Sequence, residues 1–550
     1  MSDEQIWHKV YPQGVPREID IEEITLSEVL TRTAERYPDN VALFYMGTKI
    51  TYRELEGLVN RLARAFTELG INKGDKIAML LPNIPQYVMA NYATYRIGAI
   101  TVMNNPLYTE RELEYQLNDS DSTVLITLDM FLPMALKLRE ITQVTTVITC
   151  GVGDYLPTPP EGGTEEELPP GVYRFKDVIE NAVVGPVANA ACWDEVGNIM
   201  YTGGTTGISK GVMLTHANMS ANTQQFRAWF HKLEDGKEAM IAVYPFFHSA
   251  GYTGVQNTCI YSGWNDVLVP RPEPDIIIKM IETIKPRPLL GVSTIFVALL
   301  NDERFRQMDL SFVEAYLTGG SPMTVETIRQ LKELRDVPVI NIYGLTEIAP
   351  MGTATPWGGM EKPATVGVPF PNTDLKIVDL ETGTKEMPQG EAGEVCFKGP
   401  QVMKGYYNKP EETAEQLRDE WVRTGDVGYL DEDGYLTLID RKKDLIVASG
   451  FNVYPQEVDE VLYQHPKVME ACTIGVPDEY RGETVKAYVV PKAGEAIDKD
   501  EVLQFCKGKL AMYKIPKIVE LIDELPKSAV GKILRRELRE LDKKKREGQA

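Results

Sequence analysis

Eleven residues from Tyr201 to Gly211 include the residue types that bind polyphosphate: four glycines, three threonines, a serine and a lysine. Glycine lets backbone N–H groups approach phosphate oxygens closely, because no Cβ stands in the way. The hydroxyls and the Lys210 ammonium add donors and one positive charge. The order Lys210-Gly211-Val212 differs from the Gly-Lys-Ser/Thr of a Walker A loop, which disfavours a P-loop NTPase. We predict a phosphate-binding loop of another kind, with an ordinary glycine-threonine turn as the alternative.

Seven further segments accompany this loop in a fixed order along the chain. They are Tyr244-Pro-Phe-Phe-His248, Gly319-Gly-Ser-Pro322, Tyr343-Gly-Leu-Thr-Glu347, Thr424-Gly-Asp426, Asp440-Arg-Lys-Lys-Asp444, Ser449-Gly-Phe-Asn452 and Pro526-Lys-Ser-Ala-Val-Gly-Lys532. The eight segments together resemble the motifs of the adenylate-forming superfamily of acyl-CoA synthetases, luciferases and peptide-synthetase adenylation domains. Within that superfamily, the chain looks most like the medium- or long-chain fatty-acid CoA ligases. This likeness is found in three segments: the loop from Tyr201 to Gly211, Asn105 to Leu113, and Gly450 to Pro455.

The resemblance implies that a carboxylic acid is converted with ATP to an acyl adenylate and then, with coenzyme A, to a thioester. Two anions meet in the first step, so the site needs positive charge and a metal. Lys532 is expected to bridge the carboxylate and the α-phosphate. Glu347 and Thr205 are expected to hold Mg²⁺, which takes oxygen ligands and bridges to substrate phosphates. His248 is expected to orient the acyl carboxylate; a hydrogen-bonded core histidine is the alternative.

For the nucleotide, the resemblance gives Tyr343 as an aromatic face for adenine, Asp426 as the acceptor for ribose hydroxyls and Arg441 as a donor. The predicted catalytic residues are Lys532, Glu347, His248 and Lys210. The predicted ATP and AMP site comprises Thr202, Gly203, Gly204, Thr205, Thr206, Gly207, Ser209, Lys210, Gly319, Gly320, Ser321, Tyr343, Gly344, Thr346, Glu347, Asp426, Arg441 and Lys532.

A hinge is implied as well, because one active site must perform two half-reactions. Its pivot corresponds to Lys443. After the pivot, Ser449, Gly450 and Phe451 match a loop that lines a tunnel for coenzyme A. Arg481 matches a position that holds the nucleotide end of coenzyme A, with an exposed surface arginine as the alternative.

Alternating apolar runs and helical patterns fill residues ~20 to ~440 and predict an α/β fold with parallel strands. One example is a strand at 76–81, a helix at 86–97 and a strand at 99–102. Near residue 440 the pattern changes to a compact α+β unit of about a hundred residues. We predict a large, layered N-terminal domain with several subdomains over residues 1–442. A small, mobile C-terminal lid domain is predicted over 443–550, with Lys532 reaching back across the boundary.

The composition bounds the function class. The 58 basic and 80 acidic residues give a net charge of −22, which disfavours nucleic acid as a partner. The six cysteines form no CxxC pair and are typical of reduced thiols in a cytoplasmic protein. The beginning of the chain lacks a secretory signal pattern, and no apolar run is long enough to span a membrane. We predict a cytoplasmic enzyme, peripheral at the inner membrane face at most, which could form a homodimer.

The identity of the acid is the least determined point. Amino-acid-activating relatives carry an aspartate near a position where this chain has Phe246-Phe-His-Ser-Ala-Gly251, so substrates with an α-amino group are disfavoured. Small residues beside two phenylalanines suggest room for an apolar tail. We predict a medium- or long-chain fatty acid. The alternatives are an aromatic-acid CoA ligase, a fatty acyl-AMP ligase that stops before the thioester, and a non-catalytic adenylate sensor.

Overall fold

The computed structural model describes residues 5–158, 167–202, 209–320, 323–448, 451–478, 482–507, 509–528 and 531–548. Its strands, in chain order, are β1 Val41–Tyr45, β2 Thr48–Thr51, β3 Lys76–Leu80, β4 Ile100–Met103, β5 Val124–Leu128, β6 Thr146–Cys150, β7 Val172–Arg174, β8 Val196–Thr202, β9 Lys210–Thr215, β10 Ala239–Ala242, β11 Asn265–Leu268, β12 Pro288–Leu290, β13 Ala315–Gly319, β14 Val339–Gly344, β15 Met351–Ala354, β16 Val368–Pro369, β17 Asp374–Val378, β18 Gly393–Lys398, β19 Gly405–Tyr406, β20 Leu417–Arg418, β21 Trp421–Leu430, β22 Leu436–Arg441, β23 Ile446–Ala448, β24 Phe451–Val453, β25 Val468–Asp478, β26 Gly482–Pro491 and β27 Ile518–Leu521.

The helices are α1 Leu26–Arg36, α2 Tyr52–Glu68, α3 Pro85–Arg96, α4 Glu110–Asp119, α5 Leu132–Ile141, α6 Phe175–Asn181, α7 His216–Trp229, α8 Ser249–Gly251, α9 Thr258–Ser262, α10 Pro274–Ile284, α11 Ser293–Leu300, α12 Glu303–Arg306, α13 Val325–Leu334, α14 Pro410–Gln416, α15 Pro455–Tyr463, α16 Lys499–Cys506 and α17 Arg535–Arg546. A π-helical segment, Tyr252–Asn257, joins α8 to α9. Several helices begin where the sequence offers a cap. Thr51 and Glu54 form a reciprocal capping box at the start of α2, and α1 and α4 begin in the same way.

The largest sheet has eight strands in the order β19-β9-β8-β4-β3-β5-β6-β7. Its inner strands pair in parallel, and helices connect them, which confirms the predicted strand-helix-strand units. Strands β8 and β9 pair antiparallel at one side. The predicted helix at 86–97 is α3, Pro85–Arg96, and every one of its residues is buried.

Three smaller sheets complete the larger part of the chain: β10-β11-β1-β2, β12-β13-β14-β15-β16, and β17-β18-β21-β20 with β22 paired to β21. Two extended hydrophobic clusters fill the spaces around these sheets, and their buried members all precede residue 437. The fold class is therefore the predicted mixed α/β architecture of several layers.

The last hundred residues form a sheet of their own, β24-β23-β26-β25 with β27 paired to β26, packed with α15, α16 and α17. Its two hydrophobic clusters draw their buried residues from positions 446 to 538, separate from those of the larger part. The change of core agrees with the α+β unit expected there. The boundary at 442/443 and the mobility of the small unit stay predictions.

Among the described residues, no helix combines the length and the apolar character that crossing a bilayer requires. All six cysteines are free thiols. Cys192 is exposed and the other five are buried.

Candidate active site

The segment predicted to bind phosphate connects strand β8 to strand β9. Thr202 and Lys210 are paired directly across the two strands, so the loop is shorter than the sequence suggested and Lys210 belongs to a strand. The Tyr115 hydroxyl donates a 3.0 Å hydrogen bond to the Ser209 carbonyl. The predicted residues Gly203, Gly204, Thr205, Thr206 and Gly207 lie outside the described residues.

Glu347 lies on a 3₁₀ turn directly after β14, and its carboxylate is buried. The Tyr406 hydroxyl donates to Glu347 Oε1 at 2.8 Å. Burial raises the pKa of Glu347, and the Tyr406 hydrogen bond and the nearby Lys210 charge oppose that rise. Thr346 Oγ1 lies 3.3 Å from the Ser249 hydroxyl. A buried carboxylate whose side-chain donor is a neutral hydroxyl suits a divalent cation that substrate phosphates also hold.

Among the described residues there is no cluster of three or more histidine, cysteine, aspartate or glutamate side chains that could enclose a metal. A metal would therefore need phosphate or water oxygens to complete any set of such ligands in that part of the chain. Mg²⁺ usually keeps several waters and takes only one or two carboxylates beside nucleotide phosphates. Glu347 fits that requirement.

Tyr343, Asp426 and Arg441 meet on one side of the site. The Tyr343 hydroxyl donates to Asp426 Oδ2 at 2.6 Å. Asp426 lies on β21 opposite Arg441 on β22, and Arg441 Nε is 3.2 Å from Asp426 Oδ1. The residues predicted for adenine, ribose and phosphate are thus neighbours, although they come from sheets that are distant in sequence.

Glycines bring the backbone close to this group. A side chain at Gly344 would overlap the Pro350 carbonyl oxygen, with Cβ 1.8 Å away, so the chain can fold back here only with glycine. Gly319 and the Tyr244 hydroxyl exchange hydrogen bonds of 3.0 and 3.1 Å, which fix the turn that continues to Gly320. Ser321 lies outside the described residues.

His248 caps the short helix α8: its Nδ1 accepts a hydrogen bond from the Ala250 N–H at 3.2 Å. Desolvation in the cleft, with the positive charge of Lys532 nearby, lowers the pKa of His248 to about 4. A neutral imidazole at pH 7 suits orientation of a carboxylate by its other ring nitrogen. It also agrees with the expectation that His248 orients the substrate and does not act as a general acid or base.

One of the small residues beside the two phenylalanines has a clear packing role. A Cβ at Gly251 would lie 2.3 Å from the Pro245 carbonyl oxygen, so Gly251 permits close backbone packing. Phe246 is fully buried and packs near Tyr87, with ring centroids 5.5 Å apart. The acyl space expected beside these residues stays a prediction.

Lys532 lies in a tight turn of the small unit. Ser528 N–H donates to the Lys532 carbonyl at 2.8 Å, and Gly531 N–H donates to the Ser528 carbonyl at 2.8 Å. Burial, together with repulsion from Arg441, lowers the pKa of Lys532 to about 7, while the Asp426 charge opposes the shift. Lys532 therefore lies close enough to His248, Asp426 and Arg441 for these groups to shift one another's pKa, and the roles assigned to them stay predictions.

Gly531 fixes the approach of that turn to the larger part of the protein. It has a φ of +73°, and a Cβ would lie 2.4 Å from Thr294 Oγ1. A cavity of about 340 Å³ opens beside this contact, between the two parts of the chain. Its lining combines apolar and polar side chains, including Tyr244, Pro245, Ile295, Ala298 and Lys527.

The remaining predicted residues belong to the hinge and to the coenzyme A tunnel. Lys443 follows Arg441 by two positions, just beyond β22, and its charge helps to lower the pKa of Lys532. Its role as a pivot stays a prediction. Phe451 begins strand β24. Ser449, Gly450 and Arg481 lie outside the described residues.

Among the residues that sequence reasoning missed are two that help to build the site. One is Tyr406, described above. The other is Glu394 on β18, whose carboxylate accepts from Arg423 at 2.7 Å and from the Gly425 N–H at 3.2 Å. Glu394 thus holds the turn that presents Asp426. In the sequence, Glu394 could have been noticed as a single carboxylate within an apolar strand. Nothing in the sequence distinguishes Tyr406 from the other tyrosines among the 26 in the chain.

The cleft therefore defines a nucleotide-binding enzyme whose site is shared by two structural units. The family model described as AMP-binding enzyme matches residues 30–407, and the AMP-binding enzyme C-terminal domain matches residues 457–532. The chain belongs to this family of AMP-binding enzymes.

Curated relatives extend over nearly the whole chain. It is 41% identical over 552 residues to a long-chain-fatty-acid–CoA ligase of Bacillus subtilis, covering 98% of each protein. The corresponding ligase of Salmonella typhimurium is 39% identical, also with 98% coverage of both. Among solved structures, ATP-bound MatB from Rhodopseudomonas palustris has a TM-score of 0.85 at 30% identity, covering 94% of this chain and 99% of that chain.

Proposed function

We propose that this protein is an AMP-forming acyl-CoA synthetase that joins a long-chain fatty acid to coenzyme A at the cost of ATP. The acid is first adenylated, with release of pyrophosphate. The acyl group then passes to the thiol of coenzyme A, with release of AMP. Sequence identity of about 40% to long-chain-fatty-acid–CoA ligases, over 98% of the chain, supports both the reaction and the substrate class.

One observation carries the proposal at the level of chemistry. Lys532, from the last motif of the chain, lies in the same cleft as Asp426, Arg441 and His248, and its charge interacts with theirs. The carboxylate and the α-phosphate of ATP are both anions, so their reaction requires a positive charge between them. Lys532 of the small unit supplies such a charge at the nucleotide site of the larger part. A binding protein that only sensed an adenylate would have no need of it.

In the first half-reaction, a carboxylate oxygen of the acid attacks the α-phosphorus of ATP, and the bond to the pyrophosphate oxygen breaks. We assign to Lys532 the bridging of the carboxylate and an α-phosphate oxygen. Asp426 accepts from the ribose hydroxyls, with Arg441 holding its orientation at 3.2 Å. His248, neutral at pH 7, orients the carboxylate.

Glu347 would hold Mg²⁺, which when bound neutralises charge on the phosphates and orients the leaving group. Lys210, whose ammonium lies 4.4 Å from the centre of the Tyr406 ring, adds a positive charge at the same side of the cleft. Thr202 and Ser209 flank the phosphate loop and offer hydroxyl donors.

In the second half-reaction, the sulfur of coenzyme A attacks the acyl carbonyl carbon, and the bond to the AMP oxygen breaks. We infer that the small unit turns about Lys443 between the two steps, which removes Lys532 and brings Ser449, Gly450 and Phe451 to the entrance. Arg481 would then contact the nucleotide end of coenzyme A. Loops and domains that close over substrates commonly move in this way.

The first test is an assay of AMP release from ATP with Mg²⁺, coenzyme A and a panel of acids. Octanoate and longer fatty acids are expected to give higher kcat/KM than benzoate or a cinnamate-type acid. The opposite order would favour an aromatic-acid ligase, and adenylate without thioester would favour an acyl-AMP ligase. No turnover of any acid would favour the adenylate sensor.

The second test separates the two half-reactions with Lys532→Ala. Pyrophosphate formation is expected to fall by about 10²–10³-fold, comparable to the loss of one preorganised donor. Thioester formation from supplied acyl-AMP and coenzyme A is expected to stay near the wild-type rate. Equal losses in both half-reactions would remove Lys532 from the assigned role.

Cytoplasmic location, homodimer formation and contact with the inner membrane face stay proposals. Sedimentation of the purified protein, alone and with phospholipid vesicles, measures the last two.

A further inference from the structure

Tyr406 connects two parts of the site that the sequence gives no reason to link. Its hydroxyl donates to Glu347 Oε1 at 2.8 Å. Its ring lies under the Lys210 ammonium, which is 4.4 Å from the ring centre. Tyr406 is 3% exposed, so its own hydroxyl and ring are shielded from water. The carboxylate expected to hold Mg²⁺ and the cation beside the phosphate loop therefore share one aromatic side chain.

The backbone around Tyr406 fixes it in that place. Strand β19 pairs Tyr406 with Val212 of β9, and the Tyr407 N–H donates to the Gly211 carbonyl at 2.8 Å. On the other side, the Met403 N–H donates to the Glu347 carbonyl at 2.9 Å. The segment from Met403 to Tyr407 thus holds the end of the phosphate loop and the Glu347 turn at a constant separation.

The contacts also have a chemical consequence. A hydroxyl that donates to one carboxylate oxygen favours the ionised form and orients the other oxygen. An ammonium over an aromatic face is held by the ring quadrupole while its N–H groups stay free for other acceptors. Both effects would improve the binding of a metal-complexed polyphosphate.

We propose that Tyr406 is a positioning residue for the adenylation step, in which its hydroxyl orients Glu347 toward Mg²⁺ and its ring seats Lys210 beside the same phosphates. The inference rests on the proposed function. The inference adds Tyr406 to the residues of the proposed reaction, although Tyr406 touches neither the acid nor coenzyme A.

Two substitutions separate the two contacts. Tyr406→Phe removes the hydroxyl and keeps the ring, whereas Tyr406→Leu removes both. Tyr407→Phe is the matched control, since its hydroxyl donates to Asp121 at 2.9 Å instead. The dissociation constant of ATP is measured by calorimetry over a series of Mg²⁺ concentrations, without acid or coenzyme A, so that binding is observed without turnover.

Mg²⁺ is expected to increase the affinity for ATP, and the midpoint of this increase gives an apparent Mg²⁺ requirement. For Tyr406→Phe, that midpoint concentration is expected to rise about tenfold, as is typical when the hydrogen-bond partner of a metal ligand is lost. At saturating Mg²⁺ its ATP affinity should return to the wild-type value. Tyr406→Leu should show the same shift and also an affinity about fivefold lower at saturation, because the seat of Lys210 is lost. Tyr407→Phe should match the wild type within about twofold.

If Tyr406 had only a structural role, its substitution would lower the fraction of folded protein and would leave the Mg²⁺ dependence of ATP binding unchanged. The stoichiometry of the calorimetric titration measures that folded fraction.

Coincident Mg²⁺ curves for Tyr406→Phe and the wild type would overturn the inference. So would a shift of equal size in Tyr407→Phe. Failure of the proposed function is separate: it would be a wild-type protein that binds ATP with Mg²⁺ but forms no adenylate from any acid. A wild type that does not bind ATP would overturn both.

Discussion

Replacement of Gly531 by alanine tests whether the small unit places Lys532 by a single close contact. The new Cβ would lie 2.4 Å from Thr294 Oγ1, about 1 Å inside an ordinary contact. The positive φ of +73° adds about 1–2 kcal/mol of backbone strain for a residue other than glycine. The turn must therefore move by roughly 1 Å or leave the cleft, and a misplacement of that size costs about 10²-fold in rate.

The assay compares two half-reactions. Pyrophosphate formation without coenzyme A should fall by about 10–100-fold in Gly531→Ala. Thioester formation from supplied acyl-AMP should change by less than about threefold, because Lys532 has no role in it. The melting temperature should fall by only a few degrees, because a strain of about 1–2 kcal/mol is small beside the entropy of unfolding of a large chain.

Two controls make the result specific. Gly494 has a similar φ of +79° but open space around it, so Gly494→Ala carries the backbone strain without the clash. It should leave both half-reactions near the wild-type rate. Thr294→Ala removes the atom that clashes, and a double-mutant cycle should show that it recovers part of the Gly531→Ala loss. Equal losses in both half-reactions, or no coupling to Thr294, would refute the reasoning.

Four further outcomes are expected. Lys443→Pro should let acyl-AMP accumulate, because a fixed φ hinders the turn of the small unit; wild-type overall turnover would show that Lys443 is not the pivot. Activity should rise with chain length at least from C4 to C8, by up to about fourfold per methylene at ~0.8 kcal/mol each, as a kcat/KM series measures. The kcat/KM of adenylation should fall as pH rises through about 7, where Lys532 loses its proton in the free enzyme, and Lys532→Arg should remove that descending limb. Asp266 is fully buried and both its carboxylate oxygens lack a hydrogen-bond partner, so burial raises its pKa in the folded state. The native state then holds a proton that the unfolded state has lost, and the free energy of unfolding should decline as pH rises above about 4. Asp266→Asn should flatten that decline in urea titrations, and the exposed Asp20→Asn should not.

The amino-acid sequence by itself determined the chemical inventory of the site. The motifs that contain Glu347, Asp426, Arg441 and Lys532 placed these residues within one family, and the α/β class followed from hydrophobic periodicity. Such features are local: a few neighbouring residues specify a glycine turn, a strand or a capped helix, as Thr51 and Glu54 do at α2. Local patterns can therefore be recognised in the sequence alone.

Contacts between distant residues were decided only by the tertiary structure. Tyr406 lies 59 positions from Glu347, and Glu394 lies 31 positions from Gly425. These pairs depend on strand register and sheet packing, which no short pattern records. The close approach of Gly251 to the Pro245 carbonyl belongs with them, because that contact exists only after folding.

The pKa values belong to the same class of property. Lys532 has an ordinary lysine side chain, yet burial beside Arg441 lowers its pKa to about 7. That value depends on how deeply the turn of the small unit enters the cleft, since desolvation acts through the whole surroundings of a charge and not through its neighbours in sequence. The sequence motif identified Lys532 as a candidate residue, and the packing of the small unit against the larger part determined its protonation state.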